Sequence, residues 1–188
     1  IALQNMVWGL TQPFMGALVD RVGTRPVAVA GALAYVAGIT ISAFAESALA
    51  LTIGAGLFIG LALSCTASNV AMSVTSRTVS PLKRSVAMGS VSALGSLGLM
   101  VASPLAQTLI VSDGWQVAMF AFVALAAVML PAAFMAGCVD RIESDGGHGP
   151  AQSVGEAVRE AAGHSGYIVM AAAYFVCGLQ LVFLTTHL

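Results

Sequence analysis

Gln4, Asn5, Trp8, Asn69, Gln180 and His187 stand inside otherwise apolar stretches, and they are the side chains there whose types could do chemistry. Amides and an indole N–H exchange hydrogen bonds, and an imidazole exchanges a proton near neutral pH. Gln4 and Thr11, like Asn5 and Gln12, are seven apart, which places all four on one side of a helix with Trp8 between them. Gln180 and His187 share the same spacing, and Ser68 adjoins Asn69. The chemistry is non-covalent: these residues read as a path for a polar solute, with His187 as proton relay or anion contact. Hydrogen bonding between packed helices would use the same amides. At roughly 1.5 Å a residue, His187 falls about 32 Å along a helix from Gly166, where a histidine can also be simply solvated.

Covalent chemistry finds no support. There is no Ser/His/Asp constellation and no metal-ligand cluster, so neither an enzyme, a metal site nor a cofactor is expected. Gly146, Gly147 and Gly149 lack the Lys-Ser/Thr that completes a phosphate loop, and with Pro150 they read as a linker. Cys65, Cys138 and Cys177 have no CxxC spacing and read as small apolar packers.

Apolar residues make up 59% of the 188 residues and charged residues 8%, against about 25% charge in a soluble domain. The mean hydropathy of +0.94 agrees. So little charge cannot coat a water-facing surface, and the expected partner is a lipid bilayer. A net charge of −1 without a dense basic cluster argues against nucleic acid.

The elements that must position the polar residues are six apolar runs, the length a helix needs to cross a bilayer core about 30 Å thick. They cover 1–19, 27–45, 49–76, 85–111, 115–137 and 166–188. Breaks lie at the charged turn 20–26, at 46–48, at 77–84 with Pro81, at 112–114, and in a long loop, 138–165. Trp115 stands where an interfacial aromatic would. Arg21, Arg25, Arg77, Lys83, Arg84, Arg141 and Arg159 all fall in the first, third and fifth breaks. The positive-inside rule therefore makes 20–26, 77–84 and 138–165 cytoplasmic. Within the long loop, Ser153 and Glu156 have capping-box spacing ahead of Val154, Ala157, Val158 and Ala161, which predicts a short amphipathic surface helix or a solvated linker. The start at Ile1 and the uncapped run to Leu188 read as a piece of a longer chain. For packing, Gly56, Gly60, Ser64 and Ser68 form a small-residue face, and Gly95 and Gly98 precede a kink expected at Pro104.

The turn Gly16-Ala-Leu-Val-Asp20-Arg21-Val-Gly23-Thr-Arg25 resembles the signature that joins the second and third helices of major facilitator superfamily transporters. The resemblance implies an all-α integral membrane bundle, incomplete here. Residues 1–137 would be helices two to six of the N-terminal half, 138–165 the cytoplasmic inter-half loop, and 166–188 helix seven, which starts the C-terminal half. It implies that Gly16, Asp20, Arg21, Gly23 and Arg25 form a conformational latch, with Asp20 accepting hydrogen bonds from the N-terminus of a partner helix that is not in this sequence, and that two halves rock about a midplane site.

Further stretches look like the bacterial branch related to monocarboxylate transporters: Gln4 to Phe14, Ser80 to Gly98, and Tyr174 to Gln180 with Thr185 to Leu188. They imply a secondary active transporter of the cell inner membrane that moves a small organic anion, such as a monocarboxylate, by symport with protons, and that is a monomer when full length. A drug or metabolite efflux antiporter is one alternative. It is weakened because Ser103 precedes Pro104, followed by Leu105 and Ala106, where that branch ends in Gly-Pro and then a glycine pair. A non-transporting membrane sensor on the same scaffold is the other.

Overall fold

The computed structural model describes residues 1–66, 68–141 and 154–187, all of them in helices or the short joints between helices. It separates into two compact units, Ile1–Asp145 and Gly146–Leu188.

The first unit begins with α1, Ala2–Val22, and α2, Thr24–Ala43. The charged turn expected over 20–26 is a one-residue joint at Gly23, because Asp20 and Arg21 complete the last turn of α1 and Pro26 fits the first turn of α2. Gly23 makes that reversal with φ 93° and ψ 167°, a backbone region open essentially to glycine alone. Gly114 repeats it with φ 89° and ψ 163°, which narrows the expected break at 112–114 to one residue as well.

After α2, Ser47 accepts a 3.2 Å hydrogen bond from the Ala50 N–H and starts α3, Ala48–Leu51. The helix continues as a π-helical stretch, Thr52–Phe58, into α4, Ile59–Thr66, and α5, Ser68–Thr78. Hydrophobic periodicity does not foretell the π turn, since every residue in it is apolar or small. The unit closes with α6, Arg84–Asp113, α7, Trp115–Ala136, and a 3-10 turn, Gly137–Arg141. Proline does not interrupt these helices: Pro13, Pro104 and Pro131 all lie inside them, so Pro104 does not end α6.

Among the described residues, four segments are long and apolar enough to cross a membrane: Thr24–Ala43, Ala48–Met72, Arg84–Asp113 and Trp115–Ala136. α1 has the length, but Gln4, Asn5 and Gln12 hold it below that apolarity. Hydroxyls in the helices are satisfied locally, as lipid requires: Thr40, Ser42 and Thr66 donate to the carbonyls of Val36, Gly38 and Ala62.

α2 is the centre of the unit, packed against α7, α4 and the π stretch. Its contact side is built from small residues, Ala28, Gly31, Ala32, Gly38, Ser42 and Ala43, all buried. That is how helices approach closely where no hydrophobic drive separates protein from solvent. α2 and α7 run antiparallel, fixed at one end by an edge-to-face contact of Phe44 and Phe120 with ring centres 5.5 Å apart. α6 has no buried residue.

The second unit holds α8, Val154–Ala162, and α9, Ser165–His187, joined at Gly163 and His164. α8 occupies the stretch for which the sequence left a helix or a linker open. Its capping residue Ser153 lies outside the described residues, as does Gly146 to Pro150. α9 is 23 residues long, and its stretch Ser165–Gln180 is apolar.

Candidate functional site at the basic end

Four chain segments meet where the basic residues of the first unit gather. α1 brings Asp20 in its last turn, α2 brings Thr24 and Arg25 in its first, α5 brings Arg77 in its last, and the tail of α7 brings Phe134, Gly137, Cys138 and Asp140.

Asp140 anchors the group. Its Oδ1 accepts from the Thr24 N–H at 2.7 Å and its Oδ2 from the Arg25 N–H at 3.0 Å. These N–H groups have no partner inside α2, and the positive end of the helix favours an anion there. Burial works against the charge of Asp140. The N–H groups of Arg25 and Thr24, the Thr24 hydroxyl and the Arg77 charge outweigh it and hold the carboxyl below its usual range. Gly23 leaves the space that the carboxylate fills, since a Cβ there would lie 2.9 Å from Oδ2.

Arg25 lies along the same tail. Its guanidinium carbon sits 4.4 Å from the centre of the Phe134 ring, and Nη2 lies 4.0 Å from the Cys138 sulfur. Gly137 permits this approach, because a side chain there would collide with the Arg25 stem. The Arg25 Nε is buried without a hydrogen-bond partner. Arg77 reaches Asp20 at 3.6 Å, with side-chain exposures of 21% and 56%. Arg77 therefore acts on two carboxylates, Asp20 directly and Asp140 through its charge.

Among the signature residues, then, Asp20, Gly23 and Arg25 enter this cluster. Arg21 is exposed, and a Cβ on Gly16 would meet nothing within 4 Å. Asp140 accepts from the α2 N-terminus, and Asp20 pairs with Arg77, neither of which bears on the helix N-terminus expected to meet Asp20, which belongs to a helix outside this sequence. Sequence reading missed Asp140, Arg77, Phe134 and Cys138 as members. The available signal was slight: Asp140 is an isolated acid just past an apolar run, and Arg77 was counted for its charge alone.

The polar side of α1 lies elsewhere in the unit. Gln4, Asn5 and Trp8 are half-buried, and the Trp8 Nε1 is buried with no partner. Thr11 donates to the Val7 carbonyl at 2.6 Å. Gly56 and Gly60 are buried where α1 crosses the π stretch and α4, closest to Leu3 and to the Gln4 carbonyl and Val7 respectively. Ser64 is buried too and donates to the Leu61 carbonyl. Gly95 and Gly98 have open space around them, and Pro104 is exposed. The Asn69 and His187 side chains lie outside the described residues, and Gln180 is exposed in the second unit. Among the described residues, no group of His, Cys, Asp and Glu could hold a metal ion.

The family profile of the Major Facilitator Superfamily matches residues 2–188. No curated protein matches the chain, and no solved structure matches it. The chain belongs to the Major Facilitator Superfamily, and its helices are those of a multi-pass membrane transporter of that family.

Proposed function

We propose that this protein is a secondary active transporter that moves a small organic anion, such as a monocarboxylate, together with protons by alternating access. The observation that carries the alternating-access part is the junction cluster, where Asp20, Arg77 and Asp140 tie the ends of α1, α2, α5 and α7 together. A half-exposed ion pair of this kind is worth at most about 1 kcal/mol, weak enough to break and re-form in each transport cycle. The gathering of Arg21, Arg25, Arg77, Lys83 and Arg84 in the breaks at this end supports placing it on the cytoplasmic side of an inner membrane.

The solute class rests on the stretches that resemble the monocarboxylate-type branch and on the amide-rich side of α1, with Gln4, Asn5 and Trp8 in its path and Asn69, Gln180 and His187 as further members. The buried, unpartnered Trp8 N–H is a donor available to an anion. Latch residues are Gly16, Asp20, Arg21, Gly23 and Arg25.

The test is uptake of radiolabelled lactate, pyruvate and oxalate by the intact protein in proteoliposomes with the outside acidic. Accumulation several-fold above empty liposomes, abolished by a protonophore, is the expected result. Failure of all three anions to enter would overturn the solute assignment.

A further inference from the structure

The known signature ends at Arg25, yet the atoms that fix its geometry belong to a residue 115 positions further on. Asp140 holds the first two N–H groups of α2 with both carboxylate oxygens and fills the space beside Gly23. Gly23 is the joint on which the direction of α1 relative to α2 depends, and Asp20 sits less than one helical turn before it. Asp20 meets Arg77 only if that joint keeps its angle.

We propose that Asp140 is a positioning residue for the transporter's signature turn: its carboxylate sets the α1–α2 joint so that Asp20 stands within reach of Arg77. The 3-10 turn Gly137–Arg141 is thereby coupled to the ion pair without touching Asp20. Among the described residues, the charged and titratable groups in this cluster with Asp140 are Arg25 on α2, Arg77 on α5, which also pairs with Asp20 on α1, and Cys138 on its own turn.

Crosslinking by a bifunctional thiol reagent whose spacer matches the length of an arginine side chain, in the intact protein in lipid nanodiscs, reads this geometry and needs no transported solute. The pair Asp20→Cys and Arg77→Cys is placed in a background where Cys65, Cys138 and Cys177 are changed to Ala. Asp140→Ala is expected to lower the crosslinking yield at least threefold. Asp140→Asn, which caps a helix about as well as Asp, is expected to restore it to within twofold. Unchanged yield in Asp140→Ala, or an Asn variant as poor as Ala, would overturn the proposal.

Hydrogen exchange on Asp140→Asn alone gives a second reading should the Ala variant fail to fold. An amide side chain has one acceptor oxygen, so exchange at the Thr24 or the Arg25 amide should quicken at least fivefold. No change at either amide would contradict the assignment.

Discussion

Arg77, in the last turn of α5, reaches Asp20, in the last turn of α1, at 3.6 Å, while the nearer chain neighbours of Asp20 are held by Asp140 instead. The pair is a breakable contact resting on a firmer one. Asp20→Asn is therefore expected to change the unfolding free energy by less than about 1 kcal/mol. Thermal unfolding of the intact protein in detergent checks this; a loss of several kcal/mol would make the pair a structural element rather than a switch.

Gly23 and Gly16 belong to the same signature and are predicted to behave oppositely. Gly23→Ala forces a side chain into a glycine-only backbone region and against Asp140, at a cost of about 1–3 kcal/mol. Gly16 is inside α1 with open space around it, so Gly16→Ala should leave stability unchanged or raise it by up to about 1 kcal/mol. Equal melting shifts for the two variants would refute the contrast.

The carboxyl of Asp140 titrates below its usual value, so the folded state binds its proton less readily than the unfolded state does. Its contribution to stability is complete above the ordinary carboxylate value of about 4 and is lost as pH falls through the lower native value. The melting temperature of the wild type minus that of Asp140→Asn should be flat from pH 7 to 5 and shrink below about 4. A difference that grows on acidification would have the wrong sign.

Close helix approach in the first unit predicts a size limit at Gly60, where a Cβ would meet the Gln4 carbonyl oxygen at 2.9 Å and Val7 equally closely. Gly60→Ala should destabilise by about 1–3 kcal/mol through overpacking. Gly95→Ala, in open space on α6, should not destabilise. Parallel melts of the two variants decide it.

Much of this architecture was legible in the sequence because hydropathy and charge report it directly. The runs of Val, Ala, Leu and Ile marked the spans, and the placement of Arg21, Arg25, Arg77, Lys83 and Arg84 marked the shared end of their helices. Joints were less legible. Asp20 and Arg21 look like loop residues by charge, yet at a helix end they can reach water and remain helical, so only Gly23 is left as the break. The π stretch escaped because its glycines satisfy any helical period. The cap on α2 could not be read at all: nothing local links Asp140 to Thr24, and only the antiparallel packing of α2 on α7 brings them to 2.7 Å.

The central claim is that the Asp20–Arg77 pair is a moving part of a transport cycle. Initial rates of lactate, pyruvate and oxalate uptake in proteoliposomes, over a range of concentrations, test it most directly in Asp20→Asn. The account predicts a maximal rate at least fivefold below wild type with KM within twofold, and partial recovery when the charges are exchanged in Asp20→Arg with Arg77→Asp. A variant that transports at the wild-type maximal rate would contradict it.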